Sequence, residues 1–146
     1  MKIQHRDIKP ENLLLVGGSV KVADCGLAKI VERAGPCSVL TPTYAAPEQV
    51  RGLITSQSDQ YSLALTYCHL RKDRLPFEDK HLIDARNRGE PNLTMLPDEE
   101  RRTVARALAV NPEQRWPSCL SFAQALVRGK DSGAALAGRS PADRPK

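Results

Sequence analysis

At 146 residues, with 40% apolar and 27% charged, the chain is sized for one domain with its own core, although only 4% of it is aromatic. The formal charge of +5 comes from bases scattered among acids and not clustered beside stacking aromatic residues, so a nucleic-acid partner is excluded as its explanation. Cysteines 25, 37, 68 and 119 lack zinc-ligand spacing, and there is no signal peptide, internal repeat or bilayer-length apolar run, so the expectation is a soluble, cytoplasmic protein with reduced thiols and no membrane segment.

The first chemical feature is the string His5-Arg6-Asp7-Ile8-Lys9-Pro10-Glu11-Asn12. Moving a phosphoryl group onto a hydroxyl requires a carboxylate to orient the hydroxyl and take its proton, a cation near the transferred oxygens, and a metal held between the phosphates. Asp7, Lys9 and Asn12 are residue types suited to these roles. Two short apolar runs follow, at 13–16 and 20–23, separated by Gly17-Gly18-Ser19, which predicts a β-hairpin. The second run delivers Asp24-Cys25-Gly26, whose carboxylate suits a hard cation. Residues 27–46 then form a linking segment with hydroxyls at Ser38, Thr41 and Thr43, leading into Ala46-Pro47-Glu48.

Residues 58–68 are apolar on more than one face, the pattern of a helix buried at the centre of a domain, with Asp59 at its start able to accept backbone N–H groups. After Leu75-Pro76-Phe77, a polar helix is predicted from 78 to 88. A second begins at Pro97-Asp98-Glu99-Glu100, with Val104, Ala105, Leu108 and Ala109 on one face. Ser118 is the expected N-cap of a last helix through Phe122, Leu126 and Val127, and residues 129–146 read as a disordered tail or linker.

The order and separation of these motifs resemble a eukaryotic-type serine/threonine protein kinase, its C-terminal lobe only, in the idiom of the bacterial members. The resemblance covers residues 3 to about 128 and implies an α+β, mainly helical fold: a kinase-like C-lobe with a small β-hairpin at the catalytic loop and no N-lobe. Residues 1–128 would be a partial kinase domain. The implied cofactors are ATP and Mg²⁺, and the implied partners are protein substrates bearing Ser or Thr together with an N-terminal kinase lobe.

The resemblance also implies residue roles. Asp7 would be the catalytic base, Lys9 would steady the γ-phosphate, Asn12 would bind the second Mg²⁺, and Asp24 would chelate the Mg²⁺ that bridges the phosphates. Glu11 joins Lys9, Asn12 and Asp24 in the nucleotide-binding set. Thr41 would hydrogen-bond Asp7 and Lys9, and Arg6 would answer a phosphate on the linking segment, with Ser38 its expected site. His5, Glu48, Asp59 and Arg115 are assigned structural roles, Glu48 and Arg115 as a buried pair. Lys9, two residues after Asp7, points to Ser/Thr acceptors.

The sequence departs from the family pattern in two places. Cys25 stands where the family has Phe packed on the catalytic-loop His, a loss of volume worth about 3 kcal/mol if neighbours do not close in. Leu40 stands where a Gly usually precedes the Thr. The chain contains no Gly-x-Gly-x-x-Gly loop, no Val-Ala-x-Lys strand and no paired Glu helix, so the expectation is an enzyme by family whose residues 1–146 are inactive alone. The alternative is a non-catalytic kinase-like fragment that serves as a protein-binding module.

Overall fold

The computed structural model describes residues 3–23, 29–30, 42–77 and 87–137. The sequence readings at Asp24, Cys25, Ser38, Leu40, Thr41 and the helix over 78–86 lie outside the described residues.

Strand β1 (Ile3–Gln4) leads into the catalytic-type loop and a 3₁₀ turn at Pro10–Asn12; β2 (Leu13–Val16) and β3 (Ser19–Val22) follow as an antiparallel hairpin. Gly17 and Gly18 have φ of +57° and +76°. Positive φ at both central residues is what a type I′ turn requires, and its twist matches that of the paired strands. The register sets Val16 opposite Ser19 and Leu13 opposite Val22. Strand β4 (Lys29–Ile30) pairs antiparallel with β1. The hairpin is apolar yet open, with Leu15 75% and Val20 66% exposed.

Helix α1 (Pro47–Val50) is one turn long, started by Pro47 and by the Gln49 side chain, which accepts the Ala46 N–H at 2.9 Å. Helix α2 (Ser58–Lys72) is the axis of the core. Its Tyr61, Ala64, Leu65 and Cys68 are buried among Val104, Ala107 and Leu108 on one side and Phe122 and Leu126 on another. Polar residues also face inward on α2, and each such group needs a partner once water is gone. Gln60 meets that requirement on the Trp116 backbone, donating to its carbonyl and accepting its N–H, both at 2.9 Å. The helix continues past residue 68, where apolar patterning stops, because His69, Arg71 and Lys72 suit its negative end; it closes on Asp73 with φ 52°.

Helix α3 (Asp98–Ala107) carries Asp98, Glu99 and Glu100 in its first turn, as the helix dipole favours. Its inward face corrects the sequence reading: Ala105 is exposed, and the buried positions are Glu100, Val104 and Ala107, followed by Leu108. Glu100 is only 1% exposed, and its oxygens accept the Tyr67 hydroxyl at 2.7 Å and Arg71 Nη2 at 3.1 Å. Burial and the adjacent Glu100 carboxylate both push the Tyr67 hydroxyl upward in pKa.

Helix α4 (Cys119–Ala137) starts behind Ser118, whose Oγ accepts the Ser121 N–H at 3.1 Å. It runs past residue 128, where a tail was expected, as far as Ala137. Gly129 invites the opposite reading, but here it serves close packing: a Cβ at that position would lie 3.0 Å from the Glu99 carbonyl oxygen. Once nucleated, a helix extends cheaply through alanines. No helix among the described residues is long and apolar enough to cross a membrane.

Candidate active site

The loop between β1 and the 3₁₀ turn is shaped by one carboxylate. Asp59, in the first turn of α2, accepts the His5 N–H at 2.6 Å on one oxygen and the Arg6 N–H at 2.8 Å on the other. Between them the chain takes φ 74° at Arg6, a left-handed conformation that costs a non-glycine residue about 1–3 kcal/mol. The two charge-assisted bonds offset that strain. Burial raises the Asp59 pKa, opposed by the two N–H bonds and by the charges of His5 and Arg6.

This strained turn sets Asp7, Lys9 and Asn12 against one another. Lys9 Nζ lies 2.8 Å from Asp7 Oδ2, and Asn12 Nδ2 donates to the same oxygen at 3.1 Å and to the Asp7 carbonyl at 2.7 Å. Asp7 is thereby fixed at the end of a buried amide and beside a cation. With its nitrogen so engaged, Asn12 keeps its Oδ1 without a protein donor among the described residues, a carboxamide oxygen of the kind a hard cation accepts. Among the described residues no group of three His, Cys, Asp or Glu could hold a metal. The second ligand implied by the sequence, Asp24, lies outside them.

His5 ties the loop to the end of the hairpin. Its Nε2 meets the Ala23 carbonyl at 2.9 Å and its Nδ1 accepts the Asp7 N–H at 3.4 Å, so one imidazole links Asp7 to the residue preceding Asp24. The packing of His5 against Cys25 involves a position outside the described residues. Arg6 is 3% exposed, and its Nε and Nη2 have no partner among the described residues. Glu11 is exposed on the 3₁₀ turn, near enough to Tyr44 to add to burial in raising the Tyr44 hydroxyl pKa. Tyr44 in turn bonds His69 Nδ1 and stacks on its ring, with centroids 6.1 Å apart and planes 11° from parallel.

Glu48 and Arg115, 67 positions apart, form a two-pronged pair at 2.7 and 2.8 Å. The remaining Arg115 donors go to the carbonyls of Gln57 at 3.1 Å, Ala109 at 2.8 Å and Val110 at 3.2 Å. All five guanidinium N–H groups are therefore used. Its plane also lies 4.9 Å over the Tyr61 ring. Ser58 Oγ donates to Glu48 at 2.9 Å, a contribution no sequence pattern signals.

Residues 1–128 match the protein kinase domain family, and the chain belongs to it. It is 34% identical over 147 residues to the serine/threonine-protein kinase PknF of Mycobacterium tuberculosis, covering 86% of this chain and 30% of that protein. The serine/threonine-protein kinase Pkn1 of Myxococcus xanthus is 35% identical over 143 residues, covering 85% of this chain and 21% of that protein. CBL-interacting protein kinase 3 of rice, Oryza sativa subsp. japonica, is 34% identical over 125 residues, covering 77% and 28% respectively. The chain thus spans less than a third of the length of these relatives.

Proposed function

We propose that this chain is the C-lobe of a serine/threonine protein kinase that transfers the γ-phosphoryl group of ATP to Ser or Thr hydroxyls of proteins. The observation that carries the reading is the Asp7 oxygen shared by the Lys9 ammonium and the Asn12 amide, in a loop clamped by Asp59. Bound Mg²⁺ would supply charge neutralisation between the phosphates. The chain's own residues do the rest: Asp7 accepts the proton of the substrate hydroxyl as its oxygen bonds to phosphorus and ADP leaves, and Lys9 moves from Asp7 to the transferred oxygens. Asn12, through its Oδ1, and Asp24 would hold the metal, Glu11 would belong with Lys9, Asn12 and Asp24 to the nucleotide-binding set, and Thr41 would hydrogen-bond Asp7 and Lys9.

Arg6 would pair with a phosphate on Ser38, a role supported by its buried Nε and Nη2, which have no partner among the described residues. The ATP-covering lobe is not encoded within these 146 residues, and the exposed apolar hairpin supports its docking there. The proposed setting is cytoplasmic. Two assays test the reading. Residues 1–146 with Mg-ATP and a Ser-containing protein show no transfer above an Asp7→Asn control. Joined to the Gly-rich-loop half of the mycobacterial relative, they transfer phosphate to Ser and Thr, and Asp7→Asn abolishes it. A folded fusion that transfers nothing, or transfers equally with Asp7→Asn, overturns the enzyme reading and leaves the protein-binding module.

A further inference from the structure

Gln4 is a polar residue in a buried place, 6% exposed in the two-residue strand β1 that leads into the Asp7 loop. A buried carboxamide costs stability unless its oxygen and nitrogen are paired, so its contacts say what it holds. One arm of the amide lies 3.2 Å from Asp59 Oδ2 and 3.2 Å from the Thr55 carbonyl, with the Asp59 backbone nitrogen at 3.3 Å; the other arm is 3.3 Å from the Ser56 carbonyl. Either orientation joins the side chain to the entrance of α2. The ionised acceptor decides between them, making the first arm the nitrogen, a donor to Asp59 Oδ2 and to Thr55.

Asp59 Oδ2 is the same oxygen that accepts the His5 N–H at 2.6 Å, while Oδ1 takes the Arg6 N–H at 2.8 Å. The carboxylate thus receives donors from three consecutive residues: the side chain of Gln4 and the backbones of His5 and Arg6. The backbone bonds act on the loop, and the Gln4 bond acts on the anchor. It fixes the rotation of the carboxylate plane, on which the left-handed turn at Arg6 and hence the placement of Asp7 depend. The backbone of Gln4 is tied elsewhere, in register with Lys29 of β4. One residue therefore joins the anchor of the Asp7 loop to the strand that follows Asp24.

From this we infer that Gln4 is a positioning residue for Asp7: its amide orients the Asp59 carboxylate, which sets the His5–Arg6 turn that presents the Asp7 side chain. Its consequence for catalysis rests on the phosphoryl-transfer reading proposed above, whereas its hold on the loop does not. An aliphatic residue of similar size fills the space and leaves Asp59 with one donor fewer. A carboxyl group there sets two acids against each other, an arrangement that holds the loop only while the pair keeps a proton. The charges of His5 and Arg6 also reach Asp59, and the charge of Asp59 in turn reaches the Cys119 thiol on α4.

Hydrogen exchange at the His5 and Arg6 amides of the 146-residue chain tests that hold directly, with Val104→Ala at matched stability as the measure of a merely structural loss. Gln4→Leu is expected to lower the protection of these two amides at least tenfold more than Val104→Ala does. Gln4→Glu at pH 7 lowers it at least as much as Gln4→Leu. Near pH 4, where the paired acids share a proton, Gln4→Glu recovers to within threefold of the wild type at the same pH, and Gln4→Leu does not. Circular dichroism at both pH values establishes that each variant is folded, and if Gln4→Glu unfolds at pH 7 the exchange comparison for Gln4→Leu decides. In the fusion to the Gly-rich-loop half of the mycobacterial relative, Gln4→Leu lowers kcat at least tenfold and leaves KM for ATP and for a Ser peptide within threefold. A fusion that transfers nothing overturns the enzyme reading alone, since the exchange measurement needs no activity. Equal protection in Gln4→Leu and Val104→Ala, a folded Gln4→Glu chain indifferent to pH, or wild-type kcat in the Gln4→Leu fusion would each overturn the inference.

Discussion

Replacing Glu48 with Gln keeps the shape of the side chain and removes its charge, leaving the Arg115 guanidinium, whose side chain is 0% exposed, without its counter-ion. Stranding one member of a buried pair costs about 3–5 kcal/mol, a large fraction of the roughly 5–15 kcal/mol that holds a domain folded. With a urea slope of about 2 kcal/mol per M, Glu48→Gln moves the unfolding midpoint down by about 2 M. Arg115→Lys retains charge but loses the planar fork, so three backbone carbonyls and two carboxylate oxygens compete for a compact ammonium, and it is expected to be nearly as damaging. The double variant Glu48→Leu with Arg115→Met removes both charges. It should be less destabilised than the sum of Glu48→Leu and Arg115→Met alone, with a coupling above about 2 kcal/mol. It does not return to wild-type stability, because the carbonyls of Gln57, Ala109 and Val110 lose their donor. Urea unfolding followed by circular dichroism measures all of these, and a loss below about 1 kcal/mol for Glu48→Gln would refute the reasoning, since a buried guanidinium then tolerates the absence of its anion.

Asp59 makes stability depend on pH in a definite direction. Burial raises its folded pKa, so the folded chain holds that proton more tightly than the unfolded chain, and the Asp59 contribution falls as pH climbs from about 4 through the raised value and is flat above it. Asp59→Asn removes that slope and leaves one of the two loop N–H groups without its acceptor, at about 1–3 kcal/mol; the same pH slope in variant and wild type would count against it. Burial, with Glu100 second, pushes the Cys68 thiol up to about 12, and burial, with Asp59 second, pushes Cys119 to about 11. Iodoacetamide at pH 8 therefore labels Cys68 about 1,000-fold more slowly in the folded than in the urea-unfolded chain, read by mass spectrometry, and equal rates would contradict its burial.

The hairpin was legible because its cause is local: apolar runs on either side of two glycines signal a tight turn between paired strands, and the structure has it at Gly17 and Gly18. The central helix was legible in its first eleven residues, where burial on several faces shows as composition. Its last turn was not, since His69, Arg71 and Lys72 are polar residues that suit the negative end of the helix and extend no apolar pattern. Glu100 was missed for a related reason. A carboxylate in a first turn reads as a solvated acid, and only the arrival of Tyr67 and Arg71 from α2 makes it a buried one. Gly129 misled because a small residue at a close helix contact looks, in sequence, the same as a small residue in a tail. The proximity of Glu48 to Arg115 was reached by resemblance alone; 67 intervening residues carry no local signal that the two meet.

Three consecutive residues at the entrance of α2 tie these features into one unit. The Gln57 carbonyl accepts from Arg115, the Ser58 hydroxyl donates to Glu48, and the Asp59 carboxylate holds the backbone of His5 and Arg6. The loop that carries Asp7 and the bridge that carries Glu48 therefore share a foundation, although no bond between Asp7 and Glu48 is needed. Ser58 is the position at which this sharing is testable, because its side chain touches the bridge and its neighbour touches the loop. Ser58→Ala removes one donor from a buried carboxylate and should cost about 1–3 kcal/mol. If the turn moves as a unit, hydrogen exchange at the His5 and Arg6 amides accelerates in Ser58→Ala by more than global destabilisation explains, relative to a core variant such as Val104→Ala of matched stability. Equal acceleration in the two variants would separate the bridge from the loop.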